Sequence, residues 1–494
     1  MSKQKKRYFT FIFSLLFCLL FLGITLIYPE SFKIKLQKWS SASMDFFGGF
    51  YLWLGFFAVI LLIVLAISPL GRKRLGSENP SYDWFSWIAM LYSTGMGAGL
   101  LLRAVQEPVF YYLHPPRETL HSPAEFALQY TFFHWGFTPW AFYGLFGLII
   151  GFQVYVHKKR ILGSSILPEN LQSSYWAVGI DFLIIICTLL GVVAAVGLGS
   201  RQLLEAFFYW TDSQIFLGGN AIFLVLLVCS LATWSAFRGV SRGIRKLSNL
   251  NLTLATALLL FVWILGTNQP VIMSMLKSLG IYIVEFIPIS LNLGTQKVSK
   301  DFLLDWTFFY WAFWLAWAPF TGVFIARISQ GRTIRQFIIG VLLVPSLGTF
   351  LWFSVFGINA FELIDLEKVS EGHFASIYSA LFNFLNFFPA KLISNSVSTL
   401  LVFTFLVTSV DSAIFVLSMF SDNGKTKPNR RMRLFWGITI ALFTISVIWV
   451  GKESLLESVS QLLILAALPF GFLFLGMVLY FIFQLYLEKK YEQK

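Results

Sequence analysis

The sequence predicts an all-α polytopic membrane protein with about twelve transmembrane helices, and three observations lead there. The 494 residues are 57% hydrophobic and 12% charged, a composition that a soluble chain of this length could not bury. Apolar runs lie near 9–28, 46–70, 84–105, 124–151, 178–203, 216–236, 251–268, 304–326, 336–358, 393–419, 432–451 and 456–486, suited to helices crossing ~30 Å of hydrocarbon. Of 37 Lys and Arg, 25 fall in the two tails and the even-numbered connections and 10 in the odd-numbered ones. That asymmetry places both termini in the cytoplasm, with a multi-pass chain in the cytoplasmic (inner) membrane. The net charge of +13 punctuates apolar spans and forms no aromatic-interleaved patch, so the expected partner is the lipid bilayer and not a nucleic acid.

Taken in order, the first run follows Lys3, Lys5, Lys6 and Arg7, as in a secretory signal peptide. No small-residue cleavage site follows, and Tyr28-Pro29-Glu30 closes the run, so a retained span is expected. Cys18, Cys187 and Cys229 all fall inside spans. As small buried hydrophobes they imply neither a disulfide framework nor a metal site.

Span three carries Gly95-Met96-Gly97-Ala98-Gly99, then Arg103 and Glu107-Pro108. Alternating glycines in a membrane helix can be packing positions. At mid-span they also permit an unwound segment whose carbonyls face a cavity, as at the ion and substrate sites of secondary transporters. No strand precedes them, which removes the nucleotide-binding fingerprint.

Span four contains Phe133-His134-Trp135-Gly136-Phe137-Thr138-Pro139-Trp140-Ala141-Phe142-Tyr143. Trp140 and Tyr143 share a helix face, whereas Trp135 lies about 140° from Trp140 on a regular helix. Gly136 and Pro139 favour a distortion that unites the three rings. Taken alone, aromatic packing is the simpler explanation.

Span eight changes the balance. Trp311, Trp314 and Trp317 recur every three residues, followed by Pro319 and the cations Arg327, Arg332 and Arg335. The three indoles cover about 120° of helix surface, away from the headgroup level where Trp normally sits. Indole faces in a shielded site suit a cation without N–H donors, held by cation–π attraction. That points to a carrier for quaternary ammonium compounds.

In span ten, Phe405-Leu406-Val407-Thr408-Ser409-Val410-Asp411-Ser412 sets two adjacent hydroxyls and a carboxylate at mid-span. Ser and Thr here usually bond back to their own helix; together they also offer oxygens to a small hard cation such as sodium. Asp411 is either a functional intramembrane acid or a structural partner of a buried Arg or of helix-end amides. Two outer connections, 270–300 and 362–392, hold apolar stretches that fit either the membrane surface or an outer vestibule.

A channel would need a continuous polar lining, and a receptor a sensing domain that neither tail is long enough to supply. No HExxH or GxSxG occurs, no catalytic residue or cofactor is expected, and His134 reads as a hydrogen-bonded core residue.

These segments resemble the betaine/carnitine/choline transporter family over most of the chain. The resemblance rests on GMGAGLLLRAVQEP at 95–108, FHWGFTPWAFY at 133–143, YWAFWLAWAPFTGVFIARISQGRTIRQFIIGVLL at 310–343 and FLVTSVDS at 405–412, with SRGIRKLSNLN at 241–251 also fitting. It implies a leucine-transporter-like fold, homotrimers and alternating access. By the same resemblance residues 1–83 form the tail and two peripheral spans, 84–268 and 304–486 are inverted five-helix repeats, 269–303 is the outer connecting segment and 487–494 a short cytoplasmic tail. By position the substrate site would be Trp135, Trp140, Tyr143 and Trp314, with Trp317 toward the cytoplasm and Gly97 and Gly99 beside them. A sodium site would use the carbonyls of Ser93, Met96 and Phe405 with the hydroxyls of Thr408 and Ser409. Gly99 matches betaine-type members, whereas choline-type members tend to carry Asp there.

The chain also departs from the pattern. Phe313 stands where Trp is frequent, Arg103 where an aromatic is usual, and Ala194 and Ala195 where a second sodium site offers a hydroxyl. Arg245 matches a cationic position of sodium-independent members. The expected function is uptake of glycine betaine or a related betaine by sodium symport. The alternative is a proton-coupled or ion-independent carnitine/choline-type transporter or exchanger.

Overall fold

With no water in a bilayer core, each crossing must close its own backbone hydrogen bonds, and a helix does so within one segment. The computed structural model describes residues 3–76, 79–118, 120–211, 221–238, 241–266, 269–451 and 454–492. In chain order the helices are α1 (Lys3–Ile27), α2 (Pro29–Ile67), α3 (Trp84–Gly95), α4 (Gly97–Arg103), α5 (Gln106–Leu113), α6 (Pro123–Trp135), α7 (Phe137–Tyr155), α8 (Tyr175–Thr211), α9 (Ile222–Arg238) and α10 (Ser241–Leu265). There follow α11 (Val271–Val284), α12 (Phe286–Leu291), α13 (Lys300–Phe302), α14 (Phe308–Ile328), α15 (Ile334–Ile338), α16 (Val344–Asp365), α17 (Ala380–Leu385), α18 (Lys391–Ser421), α19 (Arg430–Gly451) and α20 (Leu455–Glu492). Single π-helical turns join α13 to α14 and α15 to α16.

Among the described residues ten helices are long and apolar enough to cross a bilayer, and the bent pair α3–α4 would make eleven. The remaining expected crossing, 216–236, corresponds to α9, a 17-residue apolar helix, and the start of that run, within 212–220, lies outside the described residues.

Packing relates the two halves. Helix α10 lies on α3 as α20 lies on α14, α10 on α18 as α20 on α8, α9 on α18 as α19 on α8, and α16 on α3 as α7 on α14. Exchanging spans three to seven with eight to twelve maps each pair onto its counterpart. Helices α1 and α2 stand against this body, α1 on α8 and α19, and α2 on α7 and α20.

The connections sort by end. At one end Lys73 Nζ lies 2.6 Å from Glu488 Oε2 and His157 Nε2 lies 3.0 Å from Glu488 Oε1, uniting the 2–3 and 4–5 connections with α20. Here also Arg332 lies over the Trp84 and Trp87 rings at 4.4 and 3.9 Å and donates to the Tyr82 carbonyl at 2.9 Å. That fixes the base of α3 to the segment leaving α14. At the opposite end Arg117 pairs with Glu285 at 3.1 Å and the Tyr112 hydroxyl donates to Asp365 at 2.6 Å. The two long connections, 270–300 and 362–392, divide differently. Helix α11 packs on α6 and α16, burying Tyr282 against Phe133, Phe137 and Phe350, whereas α17 packs on α4 and α18.

Candidate functional site

The third span breaks where its glycines are. Helix α3 ends at Gly95, Met96 is non-helical at φ −138° and ψ −11°, and α4 leaves at 62°. The glycines at this bend also serve packing. A methyl on Gly97 would stand 2.5 Å from the Phe405 ring of α18, and one on Gly95 2.8 Å from Trp140, so the break is also a close-packing point.

The fourth span is interrupted too. Gly136, at φ −101° and ψ −122°, separates α6, which ends on Trp135, from α7. Trp314 then links the rings. Its centroid lies 5.1 Å from Trp135 and 6.2 Å from Tyr143, and Tyr143 lies 5.7 Å from Trp140. All three contacts are edge-to-face, the arrangement that aromatic quadrupoles favour.

A cavity of about 740 Å³, its mouth included, opens on this cluster. Its wall includes Gly97, Gly99, Trp135, Trp314 and Trp317, together with Phe313, Arg103 and Ser409. Trp140 and Tyr143 do not line it. They lie behind Gly95 and Trp314, and the Tyr143 hydroxyl donates to the Gly95 carbonyl at 3.3 Å. Four of the expected rings therefore meet as one cluster, but only Trp135 and Trp314 of them face open space. Phe313, in place of the commoner indole, stacks on Trp317 at 5.8 Å.

Polar anchors hold the rings. The Trp314 indole donates to the His134 carbonyl at 2.9 Å. His134 itself is fully buried between the Tyr111 hydroxyl, 2.8 Å from Nδ1, and Thr307, 3.0 Å from Nε2, as a core histidine would be. Glu107, 0% exposed, accepts from Trp135 Nε1 at 2.9 Å, from Tyr111 at 3.2 Å and from the Tyr310 hydroxyl. Sequence reasoning misses Glu107 as an anchor, and Tyr310 with it. Tyr310 precedes Trp314 by one helical turn and stacks on it at 5.8 Å, so its spacing was the available signal.

Of the five residues expected around a cation, Ser409 and Ser93 join spans ten and three directly, while Thr408 and Phe405 bond each other within α18. Ser409 Oγ donates to the Ser93 carbonyl at 3.3 Å. Thr408 Oγ1 donates to the carbonyls of Phe405 at 2.9 Å and Thr404 at 3.1 Å. The Met96 carbonyl accepts from Leu100 N at 3.1 Å. Asp411 lies apart from this set, bonded to Ser235 of α9 at 2.5 Å.

Comparison with known proteins adds relatives of defined class. The family profile described as "BCCT, betaine/carnitine/choline family transporter" matches residues 9–490. The glycine betaine transporter OpuD of Bacillus subtilis is 35% identical over 465 residues, covering 91% of this chain and 89% of the relative. The ectoine/hydroxyectoine transporter of Virgibacillus pantothenticus is 34% identical over 491 residues, covering 97% and 96%. Glycine betaine transporter 1 of Vibrio parahaemolyticus is 34% identical over 433 residues, covering 85% and 82%.

Proposed function

This chain belongs to the betaine/carnitine/choline transporter family, and from that premise we propose that it takes up glycine betaine or a related betaine by alternating access, with sodium moving in the same direction. The observation that carries this is a cavity ending on the Trp135–Trp314 pair at the helix break. A trimethylammonium group offers no N–H donors but spreads positive charge over its methyls, so indole faces hold it at about 0.5–2 kcal/mol per close contact. In the described conformation the solute reaches the near side of the ring cluster. A turn of Trp314 then admits it to Trp140 and Tyr143, and this motion couples binding to closure of the outer path.

In the same reading sodium sits among the Ser93, Met96 and Phe405 carbonyls and the Thr408 and Ser409 hydroxyls. Such neutral oxygens suit a hard monovalent ion, and they bridge the broken span to α18. A cation there favours the closed arrangement by its differential affinity, which is how its gradient drives uptake. The chain is read as a homotrimer in the cytoplasmic membrane with both termini inside; the clustering of Lys73, His157 and Glu488 at one end supports the shared side of those connections.

Uptake by proteoliposomes tests the coupling. The double variant Thr408→Ala, Ser409→Ala is expected to raise the sodium concentration for half-maximal uptake about tenfold or more, equivalent to about 1.4 kcal/mol of ion binding. An unchanged sodium dependence would discard the ion assignment. Counterflow of betaine that is as fast without sodium as with it would favour exchange.

A further inference from the structure

Four of the polar side chains on the cavity wall already have partners. Trp135 and Tyr310 donate to Glu107, Trp314 to the His134 carbonyl and Ser409 to the Ser93 carbonyl. Two others toward the outer end differ. Gln202 of α8 is 0% exposed, lines the cavity, and among the described residues has neither its amide oxygen nor its amide nitrogen hydrogen-bonded. Arg103 of α4 lines it too. Among the described residues its guanidinium makes one hydrogen bond, Nη1 to Gln106 Oε1 at 2.6 Å, lies over the Trp306 ring at 5.6 Å, and is in electrostatic range of Glu107, whose own hydrogen bonds come from Trp135, Tyr111 and Tyr310. A fully buried amide with both ends open is costly unless a ligand completes it.

We propose that Arg103 and Gln202 form the subsite that binds the carboxylate of the transported zwitterion and thereby select it over a bare cation. The proposal rests on the betaine reading above and deepens it. Helix α4 packs on α8, and Arg103 and Gln202 line the same cavity from those two helices. Ala195, Leu198, Gly199 and Gln202 form one lining stripe of α8 at i, i+3, i+4 and i+7. On α4 a methyl at Gly99 would stand 3.2 Å from the Trp135 ring, and Arg103 follows one turn later, about 6 Å along the axis. That offset suits a solute whose ammonium and carboxylate are a few bonds apart. The guanidinium supplies charge-assisted donors to the carboxylate, and Gln202 adds an amide N–H. A bare cation meets the same guanidinium as a like charge.

Equilibrium binding to the purified full-length protein tests this, with glycine betaine, choline and tetramethylammonium as ligands and tryptophan fluorescence as readout. Arg103→Leu is expected to weaken glycine betaine about tenfold or more while choline and tetramethylammonium hold or improve. Gln202→Leu should shift in the same sense by less, and Arg103→Lys should recover part of the loss. If Arg103→Leu moves all three ligands equally, or leaves the preference for betaine over choline intact, the subsite is overturned while the ring cluster stands. If the unaltered protein binds none of the three, the betaine reading falls and this inference falls with it.

Discussion

Replacing Trp314 with Leu is expected to weaken glycine betaine binding by at least tenfold and to abolish measurable uptake at low substrate, with the protein still present in the membrane. The indole is the ring that touches the others, meeting Trp135, Tyr143, Tyr310 and Phe313 at centroid distances of 5.1, 6.2, 5.8 and 4.8 Å. Leu removes one cation–π partner, about 0.5–2 kcal/mol, and also leaves the neighbouring rings free to turn away. Trp314→Phe keeps a π face while losing the bond to the His134 carbonyl, so it should fall between the two. Binding by the Leu variant within twofold of the unaltered protein would remove Trp314 from the site.

The second large effect is expected at Glu107. Its carboxylate accepts from Trp135, Tyr111 and Tyr310 in a fully buried setting. Glu107→Leu leaves three donors without that acceptor, and each unsatisfied buried group costs about 1–3 kcal/mol. A large drop in thermal stability follows, up to failure to accumulate. Glu107→Gln keeps one acceptor oxygen and presents an amide N–H to groups that are themselves donors. It should fold, with betaine binding weakened about tenfold as Trp135 loses its fixed orientation. Thermal shift and binding measured on the same preparations check both, and two variants that match the unaltered protein in both would show that Glu107 anchors nothing.

What the sequence reveals follows from features that act locally. The break at Met96 is legible because Gly95, Gly97 and Gly99 weaken a helix wherever they stand. The interruption at Gly136 is legible beside Pro139 for a related reason. Which rings face open space is not, because it depends on how α14 lies against α7. Trp140 and Tyr143 carry as strong an aromatic signal as Trp135, yet Gly95 and Trp314 stand between them and the cavity. Glu107 stands in the sequence only as the neighbour of Pro108, and its three donors come from α5, α6 and α14, brought together only by packing. Gln202 reads as an ordinary polar residue near a span end. Among the described residues its amide has no hydrogen-bond partner, a result of packing that no local pattern records.

Whether indole faces hold a methylated cation by its charge is decided by comparing glycine betaine with 3,3-dimethylbutanoate. In that carbon analogue a tert-butyl group replaces the trimethylammonium, so shape and carboxylate are kept and the positive charge is gone. Titration of the purified protein at saturating sodium is expected to show glycine betaine binding at least tenfold more tightly, in line with ~0.5–2 kcal/mol of cation–π attraction at each ring. Equal affinity for the two would be incompatible with this mechanism, because the rings would then be recognising bulk rather than charge.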